Sequence, residues 1–169
     1  MAGQQADVAG VVAPPPFFFG IPLVAGLLLN RALPLRWLPR SLSRSLGLVL
    51  VGLSLPLVGS AFRALAQAGT HVRPDRPTTA LVTAGPFAYS RNPIYLSLAL
   101  VYTGLAAFAN ALWPLLFLPA VIFGLQRGVI GREERYLERK FADEYRAYRA
   151  RVRRCQSVGS IRRRGGCRA

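Results

Sequence analysis

Apolar residues run along this chain in long stretches that no charge interrupts. No charged side chain occurs between Asp7 and Arg31, between Arg44 and Arg63, or between Arg91 and Arg127, windows of 23, 18 and 35 residues. A helix that crosses a bilayer needs about 20 mostly apolar residues. The first two windows therefore predict one span each, over 17–33 and 45–64. As a single helix the third, at 35 residues, would run roughly 52 Å against a hydrocarbon core of roughly 30 Å. It must fold back on itself. Asn110, with Trp113 and Pro114 just beyond it, marks the turn of a helical hairpin, 93–109 and 111–127. The stretch before the first apolar run, "MAGQQADVAGVVAPPP", lacks the basic region of a cleaved secretory signal.

The pattern changes in "GVIGREERYLERKFADEYRAYRARV". Leu137, Phe141, Tyr145, Tyr148 and Val152 recur every three or four residues, which predicts an amphipathic helix over 131–152 with one apolar stripe. Four residues before Leu137, that stripe passes through Glu133, so Glu133 is expected to face inward. Glu134, turned about 100° from it, is expected to face away. A carboxylate on such a stripe is costly unless a cation meets it. Arg91, Arg127 or a cationic ligand would serve, and a first-turn acid is also favoured by the helix dipole alone. The predicted class is an all-α integral membrane protein of about four transmembrane helices and one further helix on the cytoplasmic side.

Charge sets the orientation. The chain carries a net charge of +15 and a mean hydropathy of +0.31, and 21 of its 22 basic residues are arginine. Fourteen of them lie in 127–169 against five acids. Basic segments beside spans favour the cytoplasmic side and anionic headgroups, which places the C-terminal region and the 65–92 loop there. The short 31–44 loop, with Arg31, Arg36, Arg40 and Arg44, opposes that orientation from the other end. The tail "RRCQSVGSIRRRGGCRA" has no interleaved aromatics and no nucleic-acid-binding module, so a disordered, lipid-facing 155–169 is expected rather than a nucleic-acid partner. Cys155 and Cys167 both fall in that tail, and His71 is the only histidine. No metal site or disulfide framework is expected.

Polar residues crowd the start of the hairpin, in "YSRNPIY" from Tyr89 to Tyr95. Asparagine is a preferred N-cap and proline a preferred first helical residue, so Asn92-Pro93 predicts a helix N-terminus at the membrane edge. That end attracts an anion, and Arg91 adds a full charge beside it. A snorkelling arginine within a tyrosine belt is the plainer alternative. The preceding loop, "RPDRPTTALVTAGPFAY", turns at Gly85-Pro86 and is expected to run extended along the interface.

Together, "TTALVTAGPFAYSRNPIYLS" and, some 35 residues later, "REERYLERKFADEYRAYRARV" resemble the isoprenylcysteine carboxyl methyltransferase family, which is related to the phospholipid N-methyltransferases. The likeness covers about 75–153, within a single expected domain of 1–154. It implies an integral membrane enzyme that uses S-adenosylmethionine from a cytoplasmic-side pocket, with a lipid-like acceptor arriving from the bilayer. Carried over by position, the implied cofactor contacts are Thr79, Ala80, Leu81, Val82, Gly85 and Phe87 in the loop. At the doorway they are Tyr89, Arg91, Asn92, Pro93, Ile94 and Tyr95, with Glu133 on the last helix. Two positions depart from the family: Asn92 stands where histidine is usual, and Val129 stands where an arginine holds the acceptor carboxylate. Arg127 or Arg132 would have to replace that arginine, with Glu134 beside them as a further candidate for chemistry.

Three functions follow from these residues. The first is carboxyl O-methylation of an isoprenylcysteine-like amphiphile. The second is the same cofactor serving a phospholipid amine or a thiol, which requires proton removal by Glu133, Glu134 or a tyrosine. The third is a non-catalytic membrane protein whose basic tail docks to membrane lipids.

Overall fold

The computed structural model describes residues 14–70 and 78–152. His71, the segment 1–13 and the basic tail with Cys155 and Cys167 lie outside the described residues. Five helices follow in order: α1 (Pro15–Ala32), α2 (Arg40–Gln67), α3 (Pro93–Phe108), α4 (Leu112–Leu125) and α5 (Gly131–Arg151). No strand occurs among the described residues. The expected all-α membrane fold is present. α1, α2 and the continuous Leu112–Arg151 rod are long and apolar enough to cross a membrane. The 16-residue α3 is equally apolar, but at about 1.5 Å per residue it falls short of a roughly 30 Å hydrocarbon core.

Neighbouring helices run antiparallel and touch where side chains are smallest. On α2 and α3, Gly47 and Gly104 meet: a Cβ on Gly47 would lie 2.6 Å from the Phe108 backbone nitrogen, and one on Gly104 2.8 Å from Val51. Ser43 Oγ, fully buried, donates across this seam to the Ala107 carbonyl. α1 and α4 meet in the same way, with Gly26 against Pro114 and Phe18 over Gly124. The core between α1, α3 and α4 holds Phe19, Tyr102, Val121, Leu125, Val129 and Ile130. An apolar groove of about 550 Å³ lies between α1 and α4, with Phe17, Ile21, Phe117 and Gly124 in its walls and none of the expected site residues.

The hairpin turns where its sequence requires. Asn110 adopts φ +52°, a conformation asparagine tolerates better than most residues. Its side chain ties this turn to the α1–α2 connection: Oδ1 accepts from Trp37 N and Leu38 N, and Nδ2 donates to Leu38 O at 2.7 Å.

The junction beyond α4 differs from the expected pair of separate helices. The chain passes from α4 into α5 without a break, through one wide turn of π-helix at Gln126–Ile130. Such a turn inserts an extra residue and shifts the helical phase. α5 then bends at Ala142, whose φ of +37° and ψ of −110° are not helical. Despite this bend, Tyr145, Tyr148 and Val152 still pack with Leu137 and Phe141 into one cluster, which also takes in Leu81 from the loop.

Candidate functional site

The doorway of α3 and the first turn of α5 meet at one end of the bundle. Pro93 occupies the first helical position of α3, fully buried, and so fixes where the chain enters. Asn92 precedes it, but its side chain makes no capping hydrogen bond. The helix starts at Asn92-Pro93 as expected, and only the side-chain capping bond is not made. The Asn92 backbone N–H donates to Ser90 Oγ, while its Nδ2 is buried with no hydrogen-bond partner among the described residues. Arg91 Nε and Nη1 are likewise buried and make no aligned hydrogen bond. A buried donor without an acceptor, as at Asn92 Nδ2, costs about 1–3 kcal/mol, whereas Arg91 Nη1 has a carboxylate beside it.

Two carboxylates on α5 face that corner, not one. Tyr95, on the first turn of α3, donates a 2.6 Å hydrogen bond to Glu133 Oε1. Arg91 Nη1 lies 3.0 Å from Glu134 Oε1, with both side chains only about a tenth exposed. Glu134, expected to face away, is therefore buried. The single-stripe projection failed because Arg91 comes from the loop to meet the second acid. Tyr145 shares this environment: burial chiefly, and the nearby Glu134 carboxylate, hold its hydroxyl above its ordinary range, so it keeps its proton beside Arg91.

Glu133 lies on the charged helix beyond the apolar span. Burial pushes its carboxyl up to about 7, the Tyr95 hydrogen bond works against that rise, and the charge of Glu134 adds to it. Near neutral pH it is poised between a proton donor and an ionised acceptor.

The loop joins α5 through a second set of contacts. Thr78 N donates to Tyr136 Oη at 3.2 Å, and Lys140 Nζ reaches the same oxygen at 3.1 Å. Tyr148 Oη donates to the Phe87 carbonyl at 2.8 Å. Leu81 packs on the tyrosine cluster, while Thr79 turns back to bond Gly69 O and Thr70 Oγ1. Ala80, Val82, Phe87 and Ile94 are half-buried alongside. Gly85 takes φ +60° at the turn into a short 3₁₀ segment, Gly85–Ala88.

Not every expected residue joins this cluster. Tyr89 is 71% exposed. Arg127 is exposed and lies over the Phe123 ring at 4.3 Å, and Arg132 is exposed at the head of α5. Val129 is completely buried in the core. Sequence reasoning passed over Tyr136, which tethers the loop, and Lys140, which bonds the Tyr136 hydroxyl. The signal available was that Lys140 is the only lysine among 22 basic residues.

The arrangement offers a buried guanidinium paired with Glu134, an Asn92 amide without a hydrogen-bond partner among the described residues, a second carboxylate on Glu133 and an apolar loop wall. It suits a zwitterionic ligand with a carboxylate at one end and donors at the other. The model of the phospholipid methyltransferase family matches residues 42–144. This range spans α2, the loop, the doorway, the hairpin and the paired acids. A Haemophilus influenzae protein described only as uncharacterized is 46% identical over 66 residues, which cover 36% of this chain and 97% of that relative. No solved structure matches the chain.

Proposed function

The chain belongs to the phospholipid methyltransferase family, and on that premise we propose that it transfers a methyl group from S-adenosylmethionine to the polar end of a lipid-like amphiphile. The observation that carries this reading is the corner where the buried Arg91 guanidinium, paired with Glu134, and the Asn92 amide, without a hydrogen-bond partner among the described residues, meet the Tyr95–Glu133 pair. S-adenosylmethionine has a carboxylate for those donors and the α3 N-terminus, and an ammonium and ribose hydroxyls for the carboxylate. Leu81, Val82 and Phe87 form an apolar wall for its adenine, with Thr79, Ala80, Gly85, Ile94 and the Tyr89 edge completing the surround. When bound, it supplies a methyl group on a sulfonium, already activated toward displacement.

The residues here hold and desolvate; they need not form a covalent intermediate. Arg91 fixes an anionic group. Glu134 and Tyr145 fix Arg91. Tyr95 fixes Glu133. Alignment of donor and acceptor with exclusion of water is a large part of what such a transfer requires. The excess of basic residues at this end supports a cytoplasmic-side site, and on this reading 1–154 would act as one methyltransferase unit.

For the acceptor, the likeness to the isoprenylcysteine enzymes points to a thioether-borne carboxylate, which needs no general base; Arg132 or Arg127 would hold it. A specific observation favours a second reading, a phospholipid amine. Val129, at the position of the family's carboxylate-binding arginine, is sealed in the core, and Glu133, with its carboxyl near 7, is suited to accept a proton from an amine. Labelled methyl transfer to a prenylcysteine analogue, to phosphatidylethanolamine and to a simple alkyl thiol decides among acceptors. Transfer to none of the three, with no saturable cofactor binding, would overturn the reading.

A further inference from the structure

We propose that the turn between α1 and α2 is a docking surface for the headgroups of anionic phospholipids, at the end of the bundle opposite the candidate site. Arg31 closes α1, Arg36 sits in the connection, and Arg40 and Arg44 open α2. All four are exposed. All five acids among the described residues lie on α5, at the other end, and none of these four arginines makes an ion pair or side-chain hydrogen bond there. Four guanidinium groups in one layer thus have no counter-charge within the described protein.

Exposed Leu33, Leu35, Trp37 and Leu42 alternate with the arginines. This interleaving of apolar and cationic side chains matches a bilayer edge, where phosphates overlie hydrocarbon and tryptophan is favoured. A soluble acidic partner would leave the apolar half of the pattern in water.

The surface is also held rigid. Besides the Asn110 clamp, Trp113 Nε1 donates to Leu33 O at 2.8 Å and Leu112 N to Leu35 O at 3.2 Å. The backbone of the connection is pinned to the α3–α4 turn, so the arginines are presented on a fixed frame. Arginine suits the role because its planar fork matches phosphate oxygens in pairs. Anionic lipid bound here also accounts for basic residues persisting at the end that the orientation rule would leave poor in them.

The test uses the full chain in phosphatidylcholine nanodiscs carrying a photoactivatable probe lipid, either phosphatidylglycerol or phosphatidylcholine, with labelled peptides mapped by mass spectrometry. The expected result is stronger labelling of 31–44 by the phosphatidylglycerol probe, weakened by added salt. Arg36→Gln and Arg40→Gln, at exposed positions, each reduce that labelling by roughly fivefold, while Arg36→Lys and Arg40→Lys, which keep the charge but lose the planar fork, fall between the glutamine variants and the wild type. Equal labelling by the two probes, or labelling unchanged in the glutamine variants, would overturn the proposal.

Discussion

Tyr95 and Glu133, 38 residues apart, share a 2.6 Å hydrogen bond that ties the first turn of the hairpin to the first turn of the last helix. A neutral donor aimed at a carboxylate holds it in one rotamer without cancelling its charge. Removing the hydroxyl in Tyr95→Phe is expected to weaken S-adenosylmethionine binding by about tenfold, from roughly 1–3 kcal/mol lost at a charged acceptor. Calorimetric titration in detergent measures it. An unchanged affinity would mean that Glu133 takes no part in binding.

Proton binding at Glu133 makes cofactor affinity depend on pH. With its carboxyl raised to about 7, it is mostly protonated near pH 6 and mostly ionised near pH 8. Affinity is expected to rise across that interval in the wild type and to stay flat in Glu133→Gln. The stability sign is opposite. The unfolded chain gives up this proton near 4.3, so the contribution of Glu133 to stability is whole below that value and is lost as pH rises through about 7.

Arg91 and Glu134 form a buried pair, and breaking one side leaves the other charge stranded. Arg91→Ala or Glu134→Ala alone is expected to cost about 3–5 kcal/mol, whereas the apolar double change Arg91→Met with Glu134→Leu costs less than either. Thermal unfolding of the wild type, Arg91→Ala, Glu134→Ala and Arg91→Ala with Glu134→Ala closes the cycle, and the Arg91→Met, Glu134→Leu variant is measured beside it. Additive losses would show that the two side chains do not interact.

The α2–α3 seam tolerates no added methyl. Gly47→Ala and Gly104→Ala would press on backbone or on Val51 at under 3 Å, and each is expected to lower stability by about 1–3 kcal/mol. Gly52→Ala, on the same helix with nothing within 4 Å of its Cβ, serves as the control and should match the wild type or exceed it.

Ala142 carries a positive φ that an alanine adopts only under strain. Ala142→Gly is expected to raise the midpoint of thermal unfolding by relieving part of a cost of about 1–3 kcal/mol. A lowered midpoint would show that the bend is not strained.

Much of this architecture was legible in the spacing of charges. Three uncharged windows set the apolar helices, and Asn110 placed the hairpin turn to the residue. The stripe of Leu137, Phe141, Tyr145, Tyr148 and Val152 returned as one packed cluster. It also pointed Glu133 inward, as the structure has it. What stayed hidden depends on partners distant in sequence. Glu134 is buried because Arg91 reaches it, and no helical projection contains Arg91. The π-turn at Gln126–Ile130 and the bend at Ala142 carry no proline signal in the sequence. Asn92 sits where a cap belongs, yet its side chain makes no capping bond.

In the proposed function the α3 doorway and the first turn of α5 form one S-adenosylmethionine site. Ultraviolet cross-linking of methyl-labelled S-adenosylmethionine to the purified full chain, followed by peptide mapping, tests it most directly. Saturable label on peptides spanning 79–95 and 132–136, greatly reduced in Glu133→Ala, is the predicted result. Label confined to other helices, or none that unlabelled cofactor displaces, would contradict it.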